Sequence, residues 1–415
     1  MKCAILSVGT EILFGQITNT NSVYLSQQLN LLGFDVLYHY TVGDNDERLA
    51  EIIKLAFKDC DLVIASGGLG PTEDDMTKET VCKVMGDHLV EHGPSKEFLL
   101  KNAAKLNHKL TENNFKQAMM PSQATVFDND AGTAPGFALE KDGKTAICMP
   151  GPPREMTRMY QRRVKPYLEQ FQKDVIYYKT VRLFGKGESS LETELLDLID
   201  GQTDPTIATY AKEGECTVRV ASKRATAEEA EQAVSKTVEL IEQRVGEYIY
   251  SIDDEELVQV VGKKLLERGI TISSAESCTG GMFAETLTSV PGISEVFDRS
   301  LVTYTYKAKM EELGVKRETI DTYSVYSKEV AEEMALGLWK KSGSKICISI
   351  TGIAGPGGDM PGKPVGLIDI GCHFRGQTYV KEVQMRNVNR NWNRHYAVLA
   401  MLDLINRLID GRNIN

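Results

Sequence analysis

Ile270-Thr-Ile-Ser-Ser-Ala-Glu-Ser-Cys-Thr-Gly-Gly281 changes character halfway along its length. Ile270 to Ser274 is β-branched and uncharged, as a short buried strand requires. Glu276, Ser277, Cys278 and Thr279 then crowd small polar groups into a turn. Gly280 and Gly281 allow close backbone approach, and helical spacing resumes over 282–288. A strand that turns directly into a helix is the repeating unit of α/β architecture. At such a junction a hydroxyl is exposed beside unpaired backbone N–H groups and the positive end of the helix dipole. That setting suits a nucleophile whose attack builds an oxyanion. Ser or Thr ahead of a helix is more commonly a simple N-cap, and this stretch alone favours the cap.

Working outward, the same alternation continues. A helix is expected over 255–268, strands over 299–304, 345–351, 366–373 and 378–385, and helices over 328–341 and 392–408. The first third reads likewise. Strands over 2–8, 34–42 and 61–66 alternate with helices over 19–32 and 48–57, and a further helix covers 155–171. The first third therefore predicts a doubly wound α/β sheet, in which ligands sit beyond the carboxyl ends of the strands, and the last domain reads as a second α/β domain, three-layered by pattern. Two loops leave those ends in the first domain: Gly9-Thr-Glu-Ile12, with Asn19 and Asn21 soon after, and Ser66-Gly-Gly-Leu-Gly-Pro-Thr-Glu-Asp-Asp75. A Gly-rich loop entering a helix cradles anions, although no Gly-Lys-Ser/Thr closes it as in a P-loop. Glu73, Asp74 and Asp75 either complement the helix dipole or hold a divalent cation against a phosphate. Between the two sheets, strands over 175–184, 206–210 and 216–222 and helices over 188–199 and 226–245 form a small α+β module. Residues 246–251 read as a linker, with Asp253 or Asp254 capping the next helix.

The 415 residues carry 48 Lys and Arg against 58 Asp and Glu, a net charge of -10 that excludes a general nucleic-acid binder. No signal peptide or membrane-length apolar run appears, so a cytosolic chain without membrane contact is expected. The eight cysteines are scattered, without a C-x-x-C pair, and read as reduced core residues.

Glu276 to Gly281, Val302 to Lys309 and Ile350 to Gly358, with Arg390 and Arg394, resemble the nicotinamide mononucleotide deamidase domain of the CinA (competence/damage-inducible protein A) family. Gly9 to Gln16, Ser66 to Asp75, Gly132 to Gly136 and Met149 to Met156 resemble the molybdopterin-binding-like domain that begins CinA proteins. The middle module is similar to that family's KH-like domain, but Gly185-Lys-Gly187 is not the loop with which KH domains clamp nucleic acid.

The resemblance implies two three-layer α/β domains, 1–172 and 251–415, joined by an α+β module at 173–250. It implies a homodimer of pyridine-nucleotide salvage, linked to competence, without direct nucleic-acid contact. Its substrates would be nicotinamide mononucleotide, deamidated without a cofactor, and ADP-ribose, cleaved with Mg, Mn or Co. For the first domain it implies a nucleotide site at Gly9, Thr10, Glu11, Asn19, Asn21, Gly67, Gly68, Gly70 and Thr72, with Asp74 and Asp75 at the metal. Binding of a nucleotide or pterin without turnover, as a regulator or scaffold, is the alternative reading.

Carboxamide hydrolysis needs a nucleophile, a base that becomes the acid for ammonia, and oxyanion donors. His373 and His395 lie outside every motif of the last domain, so a Ser–Lys pair is more economical than a Ser-His-Asp triad. The expected roles are Ser277 as nucleophile, Lys309 as base and Tyr304 as orienting or relay group. Cys278 is an intrinsically better nucleophile, but its place in the motif disfavours it. Thr279 and the Gly280 and Gly281 backbone would hold the oxyanion, and Glu276 would also bind substrate. Thr351, Gly355, Gly357 and Gly358 would cradle substrate, and Arg390 or Arg394 would meet the 5′-phosphate. Lys309 must be neutral to accept a proton, through burial or through the nearby charge of Lys307.

Overall fold

The computed structural model describes residues 1–105, 110–171, 175–386 and 388–414. The chain divides into two compact units, Met1–Tyr177 with Lys223–Ala230, and Tyr178–Ser222 with Glu231–Asn415.

The first unit is built on β1 (Lys2–Val8), α1 (Thr20–Leu31), β2 (Asp35–Val42), α2 (Asp46–Asp59), β3 (Leu62–Ser66) and α3 (Thr77–Val84). It continues through β4 (Thr125–Phe127), β5 (Gly136–Lys141), β6 (Lys144–Met149) and α4 (Pro153–Met159). The six strands form one sheet in the order β2-β1-β3-β6-β5-β4, with β5 antiparallel to β6 and to β4. One face packs Leu25, Leu29, Met156 and Tyr160, and the other packs Leu49, Ile53 and Val81. From β1 the chain goes to one side for β2 and to the other for β3, so the crevice of the open sheet lies at the carboxyl ends of β1 and β3. The helix expected over 155–171 instead starts at Pro153, loosens into a π-turn over Tyr160–Val164 and ends with Lys165–Glu169.

The second unit contains β7 (Val175–Phe184, from Tyr178 onward), α5 (Glu188–Asp200), β8 (Thr206–Ala211), β9 (Glu215–Arg224, as far as Ser222), α6 (Ala227–Val245, from Glu231 onward) and β10 (Ile249–Ser251). Their sheet order is β8-β9-β7-β10. Residues 249–251, expected within a linker, are thus a strand antiparallel to β7. Asp253 and Asp254 do not cap the following helix. They pair with Lys179 at 3.2 Å and Arg182 at 2.7 Å, while the Gln259 side chain accepts the Glu256 N–H at 2.8 Å.

There follow α7 (Leu257–Glu267), β11 (Ile272–Glu276), α8 (Met282–Thr288), β12 (Phe297–Val302), α9 (Tyr306–Leu313), α10 (Arg317–Tyr323) and α11 (Lys328–Ser342). Last come β13 (Ile346–Gly352), β14 (Leu367–Phe374), β15 (Gln377–Gln384) and α12 (Arg390–Asp410). The sheet order is β12-β11-β13-β14-β15, with β12, β11 and β13 parallel. Ile272, Ile346 and Ile348 face α7, α8 and α12, while Ala275 and Cys347 face α9 to α11. Each fully buried isoleucine contributes roughly 1.5–3 kcal/mol of transfer free energy. The three layers are complete, and again the order reverses beside the first strand of the set, β11. Phe184 and Tyr250 of the small module belong to the same core cluster as α7 and α12.

Candidate active site

Ser277 directly follows β11, and its N–H donates to the Ile350 carbonyl at 3.1 Å, tying the turn to β13. Gly281, at φ 98°, turns the chain into α8 through a conformation that side chains rarely adopt. The Glu276 side chain, fully buried, accepts the N–H groups of Gly281 at 2.9 Å, Phe283 at 3.1 Å and Ala284 at 3.0 Å. It also accepts the Ser300 hydroxyl at 3.1 Å. These N–H groups are the donors that a helix start leaves unpaired. Glu276, expected at the substrate, therefore holds the turn from below.

Lys309 comes from the first turn of α9. Thr305 caps that helix by accepting the Ala308 N–H at 3.1 Å. Residues two apart on a helix point about 200° apart, so Lys307 faces solvent towards Glu311 at 3.7 Å while Lys309 turns inward. The Lys309 side chain is 1% exposed. Its Nζ lies 2.8 Å from Ser277 Oγ and 2.7 Å from the Thr303 carbonyl oxygen, and no carboxylate pairs with it among the described residues. Burial pushes its pKa from 10.5 down to about 8. The charge of Lys307, the other route considered from the sequence, plays no part. Lys309 donates to both the Thr303 carbonyl and Ser277 Oγ; only its neutral form has a lone pair with which to accept from the serine hydroxyl instead. Burial also pushes the neighbouring Cys278 thiol up to about 11, so this cysteine stays protonated and a poor nucleophile near neutral pH.

Ser277, Cys278 and Lys309 form one wall of a cavity whose other walls are Tyr304, Tyr306, Tyr326 and the loop from Gly352 to Gly358. The N–H groups of Ala354, Gly355, Gly357 and Gly358 have no acceptor among the described residues, leaving a run of donors along that loop. Arg390 enters this cavity, donating to the Gly355 carbonyl at 2.6 Å and the Tyr304 hydroxyl at 2.8 Å. Tyr304 thus pairs with Arg390 rather than with the serine and lysine. Arg394 donates to the Thr279 carbonyl at 2.6 Å and is not on the cavity wall. Nor are Thr279, Gly280, Gly281 or Thr351, whose hydroxyl donates to the Val325 carbonyl at 2.8 Å. Val325 and Tyr326 line the cavity without having been singled out, since no motif marks the turn before α11. His373 faces Thr378 at 2.9 Å and lies outside the cavity, as does His395.

In the first unit, Gly9, Glu11, Gly67, Gly68, Gly70, Thr72, Asp74 and Asp75 share a second cavity at the ends of β1 and β3. At Gly67, φ +106°, a Cβ would stand 2.1 Å from the Val8 carbonyl oxygen, so only glycine lets the two strand ends meet. Thr10, Asn19 and Asn21 are not on its wall. Thr10 donates to Asp44 at 2.7 Å, Asn19 caps α1 through the Ser22 N–H at 3.1 Å, and Asn21 donates to the Gly151 carbonyl at 2.7 Å. Asp75 accepts the Thr72 N–H at 3.0 Å and the Thr72 hydroxyl. No group of three or more His, Cys, Asp or Glu that could hold a metal stands together among the described residues. Asp74 and Asp75 offer hard oxygen donors alone. That fits a magnesium-like cation that takes one or two carboxylates and completes its shell with substrate phosphate and water. No helix of the described residues is long and apolar enough to cross a membrane.

A doubly wound sheet closed by a Gly-rich cradle, joined through a KH-like module to an α/β sheet bearing a buried Ser–Lys pair, defines the class: the chain belongs to the CinA family of competence-damage inducible proteins. Three family models match it: "Probable molybdopterin binding domain" over residues 4–170, "Damage-inducible protein CinA KH domain" over 178–251 and "CinA C-terminal domain" over 254–409. The "Putative competence-damage inducible protein" of Acetivibrio thermocellus is 46% identical over 409 residues, covering 99% of each chain. Its counterpart in Clostridioides difficile is 47% identical over 415 residues, covering 98% of each. Among solved structures, the protein CinA "with unknown function" from Thermoplasma acidophilum is 33% identical with a TM-score of 0.37, covering 40% of this chain and 96% of that one.

Proposed function

We propose that the second unit is an amidohydrolase that converts nicotinamide mononucleotide and water to nicotinate mononucleotide and ammonia. The observation that carries this reading is the buried Lys309 amine, 2.8 Å from Ser277 Oγ and held without a carboxylate. Neutral Lys309 takes the hydroxyl proton as Oγ attacks the carboxamide carbon. The Cys278 N–H, which has no backbone acceptor among the described residues, would donate to the oxyanion that forms. Protonated Lys309 then passes its proton to the departing nitrogen, releasing ammonia and leaving an acyl ester on Ser277. Water attacks that ester with Lys309 again as base, and serine and amine are restored as the carboxylate leaves. Release of ammonia from nicotinamide mononucleotide by the purified chain tests the reading, and no release at millimolar substrate would sink it.

Arg390 and the free N–H groups of Ala354, Gly355, Gly357 and Gly358 suit the 5′-phosphate. Arg390→Ala is expected to raise KM for nicotinamide mononucleotide by about tenfold or more with little change in kcat, a loss of uniform binding. The riboside, which lacks the phosphate, should be turned over equally by both forms. An unchanged KM would remove Arg390 from phosphate binding.

For the first unit we propose divalent-cation-dependent cleavage of ADP-ribose to AMP and ribose 5-phosphate. Asp74 and Asp75 would hold the cation, which would neutralise pyrophosphate charge. The Gly67–Gly70 turn approaches the phosphates through its backbone, and Glu11 is placed to accept from a ligand hydroxyl. Asp74→Asn is expected to abolish AMP release while leaving amidase activity and thermal midpoint unchanged, and chelator should do the same reversibly. AMP release that survives either treatment would return Asp74 and Asp75 to a cap that complements the helix dipole, and no AMP release from the parent chain would leave this unit a nucleotide- or pterin-binding module.

A further inference from the structure

The second unit has another cavity, separate from Ser277, between the β8–β9 turn, the 185–187 turn before α5 and the first turns of α12. Three cations line it, Lys186, Lys212 and Arg386. Lys212 and Arg386 are exposed, and neither side chain has a hydrogen-bond or ion-pair partner among the described residues. Lys186, by contrast, is neutralised by Glu194 at 2.5 Å and lies over the Tyr248 ring. A flat aromatic surface completes the wall. Trp392 and Tyr396 stack with centroids 5.1 Å apart and planes at 20°, and Gly214 of the β8–β9 turn lies so close that a Cβ would come within 3.1 Å of the Tyr396 ring. The N–H groups of Glu188, Ser189 and Ser190 at the start of α5 have no acceptor among the described residues. Glu215 is occupied by the Tyr250 hydroxyl at 2.5 Å, which leaves Glu188 as the acid facing the cavity.

We propose that this cavity binds a nucleoside monophosphate. Two unpaired cations call for an anion, and an open stacked indole calls for a flat ring beside it. An acceptor such as Glu188 calls for hydroxyl or amino donors, and these three demands together describe a nucleotide rather than a free anion. The phosphate lies between Lys212 and Arg386, close to the α5 start, the base lies on Trp392, and Glu188 accepts from the sugar. Because α12 also presents Arg390 to the Ser277 cavity, one helix forms a wall of both.

The chain has two tryptophans, so Trp339→Phe leaves Trp392 as the sole indole reporter. AMP titrated into the full-length Trp339→Phe chain is expected to quench this emission saturably, with a Kd of roughly 10–500 µM. Adenosine and inorganic phosphate should each bind at least about tenfold more weakly. Adding Lys212→Glu and Arg386→Glu should weaken AMP by about tenfold or more without altering melting or ammonia release, since both side chains are exposed. Quenching that survives the double substitution would place the nucleotide elsewhere, the Ser277 cavity included. Phosphate as tight as AMP would make the cavity a simple anion site, and no saturable quenching up to about 5 mM would remove it altogether. Fluorescence reads binding directly, so the result stands or falls apart from the amidase reading.

Discussion

Ser277→Ala and Lys309→Arg are each expected to lower turnover of nicotinamide mononucleotide by about three or more powers of ten. The double variant should lose little beyond either single one, because a nucleophile without its base and a base without its nucleophile fail at the same step. Arginine keeps the positive charge and much of the reach of lysine, yet it stays protonated at any working pH and cannot take the serine proton. The unaltered enzyme should gain kcat as pH rises through about 8, the value to which burial lowers Lys309. Below that pH the ammonium has no lone pair to offer; above it the amine is free to accept. A pH–rate profile on the parent and the three variants checks this. A Lys309→Arg enzyme within about tenfold of the parent, or a profile flat from pH 6 to about 9.5, would dismiss the lysine as base.

The second large effect concerns stability. Glu276→Ala should destabilise the second unit by about 3 kcal/mol, because it leaves three backbone N–H groups and the Ser300 hydroxyl facing a dry interior without an acceptor. Glu276→Gln keeps one acceptor oxygen but turns an amide N–H₂ towards backbone donors, so it should recover only part of the loss. Both tryptophans, Trp339 and Trp392, lie in the second unit, and urea unfolding followed by their emission therefore reports on it directly. A shift below about 0.5 kcal/mol would show that water or rearranged backbone replaces the carboxylate.

The fate of Glu276 marks where a linear reading stops. Its place in a motif beside Ser277 suggested substrate contact, but successive strand residues point to opposite faces, and one position decides between cavity and interior. The same holds for Thr351, which turns to the Val325 carbonyl. Helical phase separates Lys307 from Lys309 in the same way: both are cations in one motif, and only the one turned inward meets Ser277. Arg390 and Arg394 lie one helical turn apart, and they part because the first reaches Gly355 whereas the second is taken by Thr279. Tyr326 is adjacent to no motif and joins the site only because the chain before α11 folds over the end of β13.

Hydrophobic periodicity along the chain determined the two α/β sheets and the α+β module between them, because strand–helix alternation and the Gly-rich turns are local properties. It also put the Gly-rich loops of the first unit at strand carboxyl ends, whereas the reversal of sheet order beside β1 and beside β11 belongs to the folded sheets. Proximity was beyond it. The three-residue strand Ile249–Ser251 is too short to carry a pattern and exists through its partner β7. The low pKa of Lys309 likewise arises from residues that exclude water around it and lie far apart in sequence. Exclusion of water is a property of the packed interior, and only the tertiary structure decided which polar side chains it would enclose.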